Sequence, residues 1–323
     1  MVRYLLVATV GLILVIGCTQ SKKESTVVDY ETVVKDDAFR NSISDGKFIK
    51  LSAGYTYYTY DNPDADTVLV MVHGFSVPSY IWDSTYNAAV GRGYAALRYD
   101  VYGRGYSDNP DVAYDAALYA GQLKELLDSL HVDNKINLLG LSYGGRIISA
   151  FAFQYPDRIQ NLIYVDPAGF ETVTPDGEYP AMVSEEDVVA FKATDGYKYM
   201  AKGQLTDFYD SIPFLGWDKK YEEMMKFKGF ARALLSTRRN SPSMENEHRA
   251  IAASGMPVFC FWGEHDTVVK LDEVKANLYE RIPNVELFVL PEAGHLPHME
   301  QTAMFNSILF DQIICCEHPQ VKP

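Results

Sequence analysis

The stretch Gly140-Leu141-Ser142-Tyr143-Gly144-Gly145 constrains this chain more than any other. It follows the apolar run Ile136 to Leu139 and precedes Arg146-Ile147-Ile148-Ser149-Ala150-Phe151, which reads as a helix. G-x-S-x-G between a strand and a helix specifies a nucleophile elbow, a turn so sharp that the serine is strained and its hydroxyl exposed. Side chains two positions either side of the serine would collide across the turn, which accounts for Gly140 and Gly144. A serine hydroxyl is a poor nucleophile alone, so the elbow acquires chemical meaning only with a histidine and a carboxylate beside it.

Both partners are expected downstream. The run Met256 to Trp262 reads as a strand and leads into Gly263-Glu264-His265-Asp266. A second run, Val285 to Leu290, leads into Pro291-Glu292-Ala293-Gly294-His295. Carboxyl ends of parallel strands share one rim of a sheet, where open α/β folds bind their ligands. Ser142 is therefore the expected nucleophile, His295 the base, and Asp266 the group that fixes the imidazole tautomer. Asp266 is preferred over Glu264 and over Asp166, which follows the strand-like run Asn161–Val165; His295 is preferred over His265 and His298. An oxyanion hole is expected from two main-chain N–H groups. One is that of Tyr143, after the nucleophile; the other is that of Phe75, in His73-Gly74-Phe75-Ser76 after the strand Thr67–Val72. His73 reads as a brace of this oxyanion loop, and Asp100 and Arg104 as pins of the loop after the fourth strand.

These motifs, with Tyr99-Asp100-Val101-Tyr102-Gly103-Arg104-Gly105-Tyr106-Ser107 and Tyr155-Pro156-Asp157-Arg158, resemble the α/β-hydrolase superfamily in its cap-bearing group of serine esterases, lipases and carbon–carbon bond hydrolases. The chain order Ser142, Asp266, His295 is the order of that superfamily. The resemblance runs from about Lys47 to Phe310 and is weakest between Phe170 and Met244. It implies an α/β-hydrolase fold: a mostly parallel eight-stranded sheet, helices on both faces, and a helical cap inserted after strand six. The expected organisation is a signal segment over residues 1–17, a tether over 18–44, core over 45–167 and 245–323, and cap over 168–244. Related dehalogenases and epoxide hydrolases carry aspartate at the nucleophile position, so Ser142 argues against both reactions.

Length and composition accommodate this. A chain of 323 residues, 47% hydrophobic and 22% charged, suffices for one large α/β domain with an insertion. Phe48–Ser52 and Tyr55–Tyr60 read as an antiparallel hairpin, and Leu118–Leu130 as a helix. A formal charge of −14 disfavours nucleic acid as a partner, because such binding relies on Lys and Arg at phosphates. No metal-binding spacing joins Cys18, Cys260, Cys315 and Cys316, and neither metal nor cofactor is implied. In the cap, Glu185-Glu186-Asp187 suits a helix start. The cluster around Phe208, Phe214 and Trp217 reads mainly as cap core, with Phe75, Tyr143, Phe214 and Trp217 as candidate pocket residues.

At the amino terminus, an apolar run from Leu5 to Ile16 ends at Gly17-Cys18 and turns abruptly polar. Val15-Ile16-Gly17-Cys18 resembles a bacterial lipobox, with Val15 where leucine is usual. The resemblance implies a lipidated Cys18, removal of the preceding residues, and a protein tethered outside the cytoplasmic membrane by a flexible leash. The function expected is hydrolysis of an apolar carboxylic ester through an acyl-enzyme on Ser142. The alternatives are hydrolysis of a diketone carbon–carbon bond or, from a different class, a catalytically silent binding protein on the same scaffold.

Overall fold

The structure is a computed structural model that describes residues 30–172 and 181–315. The signal segment, Cys18 and Cys316 lie outside the described residues. Eight runs rich in β-branched and aromatic residues form the strands: β1 (Lys47–Leu51), β2 (Gly54–Asp61), β3 (Val68–Val72), β4 (Ala95–Tyr99), β5 (Ile136–Leu141), β6 (Ile159–Val165), β7 (Val258–Gly263) and β8 (Glu286–Leu290). They make one sheet in the order β1-β2-β4-β3-β5-β6-β7-β8. β2 runs antiparallel to both β1 and β4, and every pairing from β4 through β8 is parallel. The hairpin and the mostly parallel sheet are those expected from the sequence.

The central strands are apolar on both sides because helices cover both faces. Along β3, Val68, Val70 and Val72 join one core cluster while Leu69 and Met71 join the other. The first cluster takes Leu123 and Leu127 from the helix Ala116–Ser129 and Ile147 and Phe151 from Tyr143–Gln154. The second takes Tyr86 from the helix Asp83–Gly91 and Phe305 from Thr302–Ile308. Each such burial contributes about 1.5–3 kcal/mol, so the sheet is the rigid platform from which the loops at its carboxyl rim are held.

Between β6 and β7 the chain builds a helical cap that includes Glu185–Ala193, Trp217–Met224 and Phe230–Arg239. The first of these starts as its acidic turn predicts. Ser184 and Asp187 form a reciprocal capping box, and Arg239 donates to both oxygens of Asp187 at 2.7 and 2.8 Å. The next helix, Glu245–Ser254, belongs to the core: His248 stacks on Phe170 at 4.0 Å and reaches Ser149 Oγ at 3.2 Å.

The expected leash over 18–44 needs correction from Tyr30 onward. Glu31 and Val33 donate main-chain bonds to Met225 O (3.0 Å) and Lys226 O (2.8 Å), and Lys228 N–H returns one to Val33 O (2.9 Å). The Glu31 carboxylate accepts from Ala231 N–H at 3.0 Å in the first turn of Phe230–Arg239 and pairs with Lys192 at 2.7 Å. Lys35 donates to Gly105 O at 3.2 Å, to Ser107 O, and to Asn109 Oδ1 at 2.6 Å. This segment is a strap joining cap to core. Its polar composition resembles a linker, and its partners lie 70 to 200 residues away, beyond the reach of local pattern.

Candidate active site

Ser142 ends β5 and opens the helix Tyr143–Gln154 with φ 52° and ψ −119°. That conformation costs a non-glycine residue about 1–3 kcal/mol, so neighbours must impose it. Ser142 N–H donates to Val165 O at 2.9 Å, while Ser142 O accepts from Gly145 N–H at 2.8 Å and Ala168 N–H at 2.9 Å. A Cβ at Gly140 would lie 2.6 Å from Gly144 O, and one at Gly144 would lie 2.6 Å from Val72 O. Both are collisions, so only glycine closes this turn.

The loop after β3 passes directly against the serine: a Cβ at Gly74 would meet Ser142 Cβ at 3.2 Å. His73 Nε2 accepts from Val101 N–H at 2.9 Å, which leaves the proton on Nδ1 to reach Gly74 O at 3.0 Å. Burial, aided by the Arg104 charge, pulls the His73 pKa down to about 3, so the ring is a neutral brace. Arg104, only 1% exposed, donates to Phe75 O (2.7 Å), Tyr119 Oη (2.8 Å) and Thr237 Oγ1 (2.9 Å). A buried charge is costly unless well bonded. These three neutral partners tie the Phe75 peptide to a core helix and to the cap helix Phe230–Arg239. Tyr143 occupies the first helical position, whose N–H a helix leaves unpaired. The rings of Phe75 and Tyr143 meet edge to face at 6.1 Å.

Past β7 and β8, the other two expected residues meet. His295 Nδ1 and Asp266 Oδ2 are 2.8 Å apart, and both side chains are buried. Asp266 Oδ1 accepts from Val268 N–H (2.7 Å) and Val269 N–H (3.0 Å), which orients the carboxylate. Burial alone would lower the His295 pKa, but the Asp266 hydrogen bond and the charges of Asp266 and Asp207 outweigh it and raise it. The Ser142 hydroxyl has no hydrogen-bond partner among the described residues.

The rival residues lie elsewhere or play other parts. His265 is exposed and stacks on Tyr209 at 4.3 Å, while Glu264 is exposed. His298 is buried, donates from Nε2 to Ile81 O at 3.0 Å, and is held neutral by burial, with a pKa down to about 3. Asp166 stands beside Asp266: one oxygen of each and a His295 ring nitrogen lie within 4.8 Å of one another. Groups of these types can hold a cation, but here Nδ1 and both Asp266 oxygens are engaged in hydrogen bonds with the protein.

Two features escaped the sequence reading. His295 N–H donates to Asp207 O in the cap at 2.7 Å. Glu300 accepts from Gly294 N–H (2.7 Å) with one oxygen and from Tyr209 N–H (2.8 Å) and Asp210 N–H (3.1 Å) with the other, so one carboxylate clamps the cap to the histidine loop. Phe214 stacks on Phe208 at 4.1 Å, and Trp217 meets Phe208 at 5.9 Å and Tyr80 at 5.3 Å. Part of each ring is thus spent on the cap's own packing, whereas Ile212 and Leu215 face solvent.

Comparison with known proteins agrees with this architecture. The family model for the alpha/beta hydrolase fold matches residues 67–302, and the chain belongs to that family. It is 24% identical over 297 residues to Lipase 1 of Psychrobacter immobilis, spanning 88% of this chain and 89% of the lipase. It is 26% identical over 296 residues to a 2-hydroxy-6-oxononadienedioate/2-hydroxy-6-oxononatrienedioate hydrolase of Paraburkholderia phymatum, spanning 85% and 98% respectively. Among solved structures, an esterase from Exiguobacterium antarcticum superposes with a TM-score of 0.68 at 20% identity, covering 82% of this chain and 98% of the esterase.

Proposed function

We propose that this protein hydrolyses a carboxylic ester through an acyl-enzyme on Ser142. One observation carries the reading: two loops from separate strands bring His295 Nδ1 and Asp266 Oδ2 to 2.8 Å at the rim where the strained Ser142 stands. With Asp266 accepting from Nδ1, the imidazole is left with Nε2 as its basic nitrogen. His295 takes the Ser142 proton as Oγ attacks the ester carbonyl, and returns it to the departing alcohol. A water activated by the same nitrogen then releases the acid. The Phe75 and Tyr143 N–H groups serve the developing oxyanion; one such donor is worth about 3–4 kcal/mol in the transition state.

Fold does not fix the reaction, and the two relatives named above differ in substrate. An oxo-dienedioate hydrolase among them makes a diketone the necessary competitor in any screen. The decisive experiment is fluorophosphonate labelling of the folded protein, followed by esters graded in acyl length and one diketone. Labelled Ser142 with ester turnover supports the proposal. Absence of label points to a silent scaffold, and turnover of the diketone alone reassigns the reaction.

The aromatic cap around Phe208 and Trp217 favours an apolar ester. We further propose that Cys18 is lipidated and holds the protein outside the cytoplasmic membrane, on the strength of Val15-Ile16-Gly17-Cys18. Mass spectrometry of the native protein checks this: an amino terminus at Cys18 bearing lipid is expected, and an intact Met1 overturns it. Among the described residues, no helix is long and apolar enough to cross a membrane.

A further inference from the structure

Asp166 is a buried carboxyl group that the ester mechanism leaves without a task. It follows β6 in a left-handed conformation, φ 42°, which aspartate tolerates better than most residues. Its N–H donates to Phe261 O at 2.9 Å, and its Oδ1 accepts from Gly263 N–H at 2.9 Å. Oδ2 is closed off from solvent and meets no donor among the described residues. Asp266 is the neighbouring acceptor, within the 4.8 Å group that also contains His295. Two acceptors facing each other in a dry interior are repulsive when both are charged, and the repulsion is relieved when one carries a proton. Asp266 already accepts three hydrogen bonds, from His295, Val268 and Val269, as an ionised carboxylate should. Asp166 has one main-chain donor and so is the member better suited to be neutral.

We propose that Asp166 is a neutral carboxylic acid whose Oδ2–H donates to Asp266, and that it is a positioning residue for the Asp266–His295 pair. Its Asp266-facing proton holds the carboxylate with Oδ2 toward Nδ1 and keeps the Asp166 and Asp266 carboxyls together at a single negative charge. The surroundings agree: burial first, then the Asp266 charge, hold the Asp166 carboxyl well above the usual range. The other titratable groups around the pair are Glu300, the Cys260 thiol of β7 and, across His295, Asp207. The role rests on Asp266 and His295 acting as proposed above; the protonation itself does not.

Asp166→Asn tests both parts, because asparagine offers a neutral donor of the same shape and also tolerates positive φ. In the infrared spectrum of the unliganded protein near neutral pH, the carbonyl stretch of a protonated buried carboxyl should be present and should vanish in Asp166→Asn. The acidic limb of kcat/KM should stay where it is in that variant, since neutral replaces neutral. An ionised Asp166 would instead lose its charge on mutation, and the limb would fall by about one pH unit. Asp166→Ala, lacking the donor, should lose activity roughly tenfold or more and shift the limb upward, and Asp166→Asn should retain activity. The proposal fails if no band is lost, if the limb falls in Asp166→Asn, or if both variants lose activity equally with the limb unmoved. If Ser142 resists fluorophosphonate while the band persists, the ester reading falls and the neutral carboxyl stands.

Discussion

His295 faces opposing influences, burial against the Asp266 carboxylate, and the carboxylate wins. If His295 is the proposed base it works only while neutral, so its raised pKa sets the direction of the expected activity profile. As pH falls through that value, which lies above the ordinary 6.5 or so of histidine, the ring becomes protonated and kcat/KM should drop with a single-proton slope. A profile measured on a p-nitrophenyl ester checks this, and His295→Ala should reduce kcat roughly ten-thousand-fold with folding intact by circular dichroism. At this scale the strand-end positions of the proposed catalytic residues and the meeting of Asp266 with His295 were legible in the sequence. Ser142, Asp266 and His295 each follow a strand-like run, so their arrival at one rim could be read from topology alone. The pairing of Asp166 with Asp266 could not: which of two post-strand carboxylates meets the imidazole depends on side-chain direction, and both arrive.

Cap contacts hold the loops that carry the proposed catalytic residues. Glu300 bonds Gly294 on the histidine side and Tyr209 and Asp210 on the cap side, from the last residue of the short helix Pro297–Glu300. Glu300→Ala should leave three main-chain donors without this acceptor. We expect kcat to fall roughly tenfold to a hundredfold, and amide exchange to quicken at residues 207–210 and 294–295 together; faster exchange in only one of these segments would refute the clamp. Arg104 does comparable work on the opposite side, from Phe75 O to Thr237. Its sequence context suggested a brace for one loop. That it reaches the loop of Phe75 and a cap helix depends on contacts 29 to 133 residues distant, which no window of sequence contains.

Across the whole molecule, three buried histidines, His73, His248 and His298, have pKa values brought down to about 3, by burial above all. The unfolded chain protonates them below about 6.5 while the fold excludes those protons, so each contributes stability that is lost as pH falls from about 6.5 toward 3. Asp207, its pKa pushed up to about 6, and Glu300, also raised, titrate with the opposite sign. The clean measurement is therefore a difference. Relative to His298→Gln, the wild-type melting temperature should gain as pH rises from 3 to 6.5 and hold constant above; a difference independent of pH would contradict the assignment.

The strap at Glu31 to Lys35 also sets where the chain enters the described fold. The chain enters the described fold alongside Met225 and Lys228, on the cap, not at the floor of the sheet. The segment from Cys18 to Tyr30 reaches roughly 40 Å at full extension. If Cys18 carries the proposed lipid, that lipid lies within roughly 40 Å of the point where the chain joins the cap.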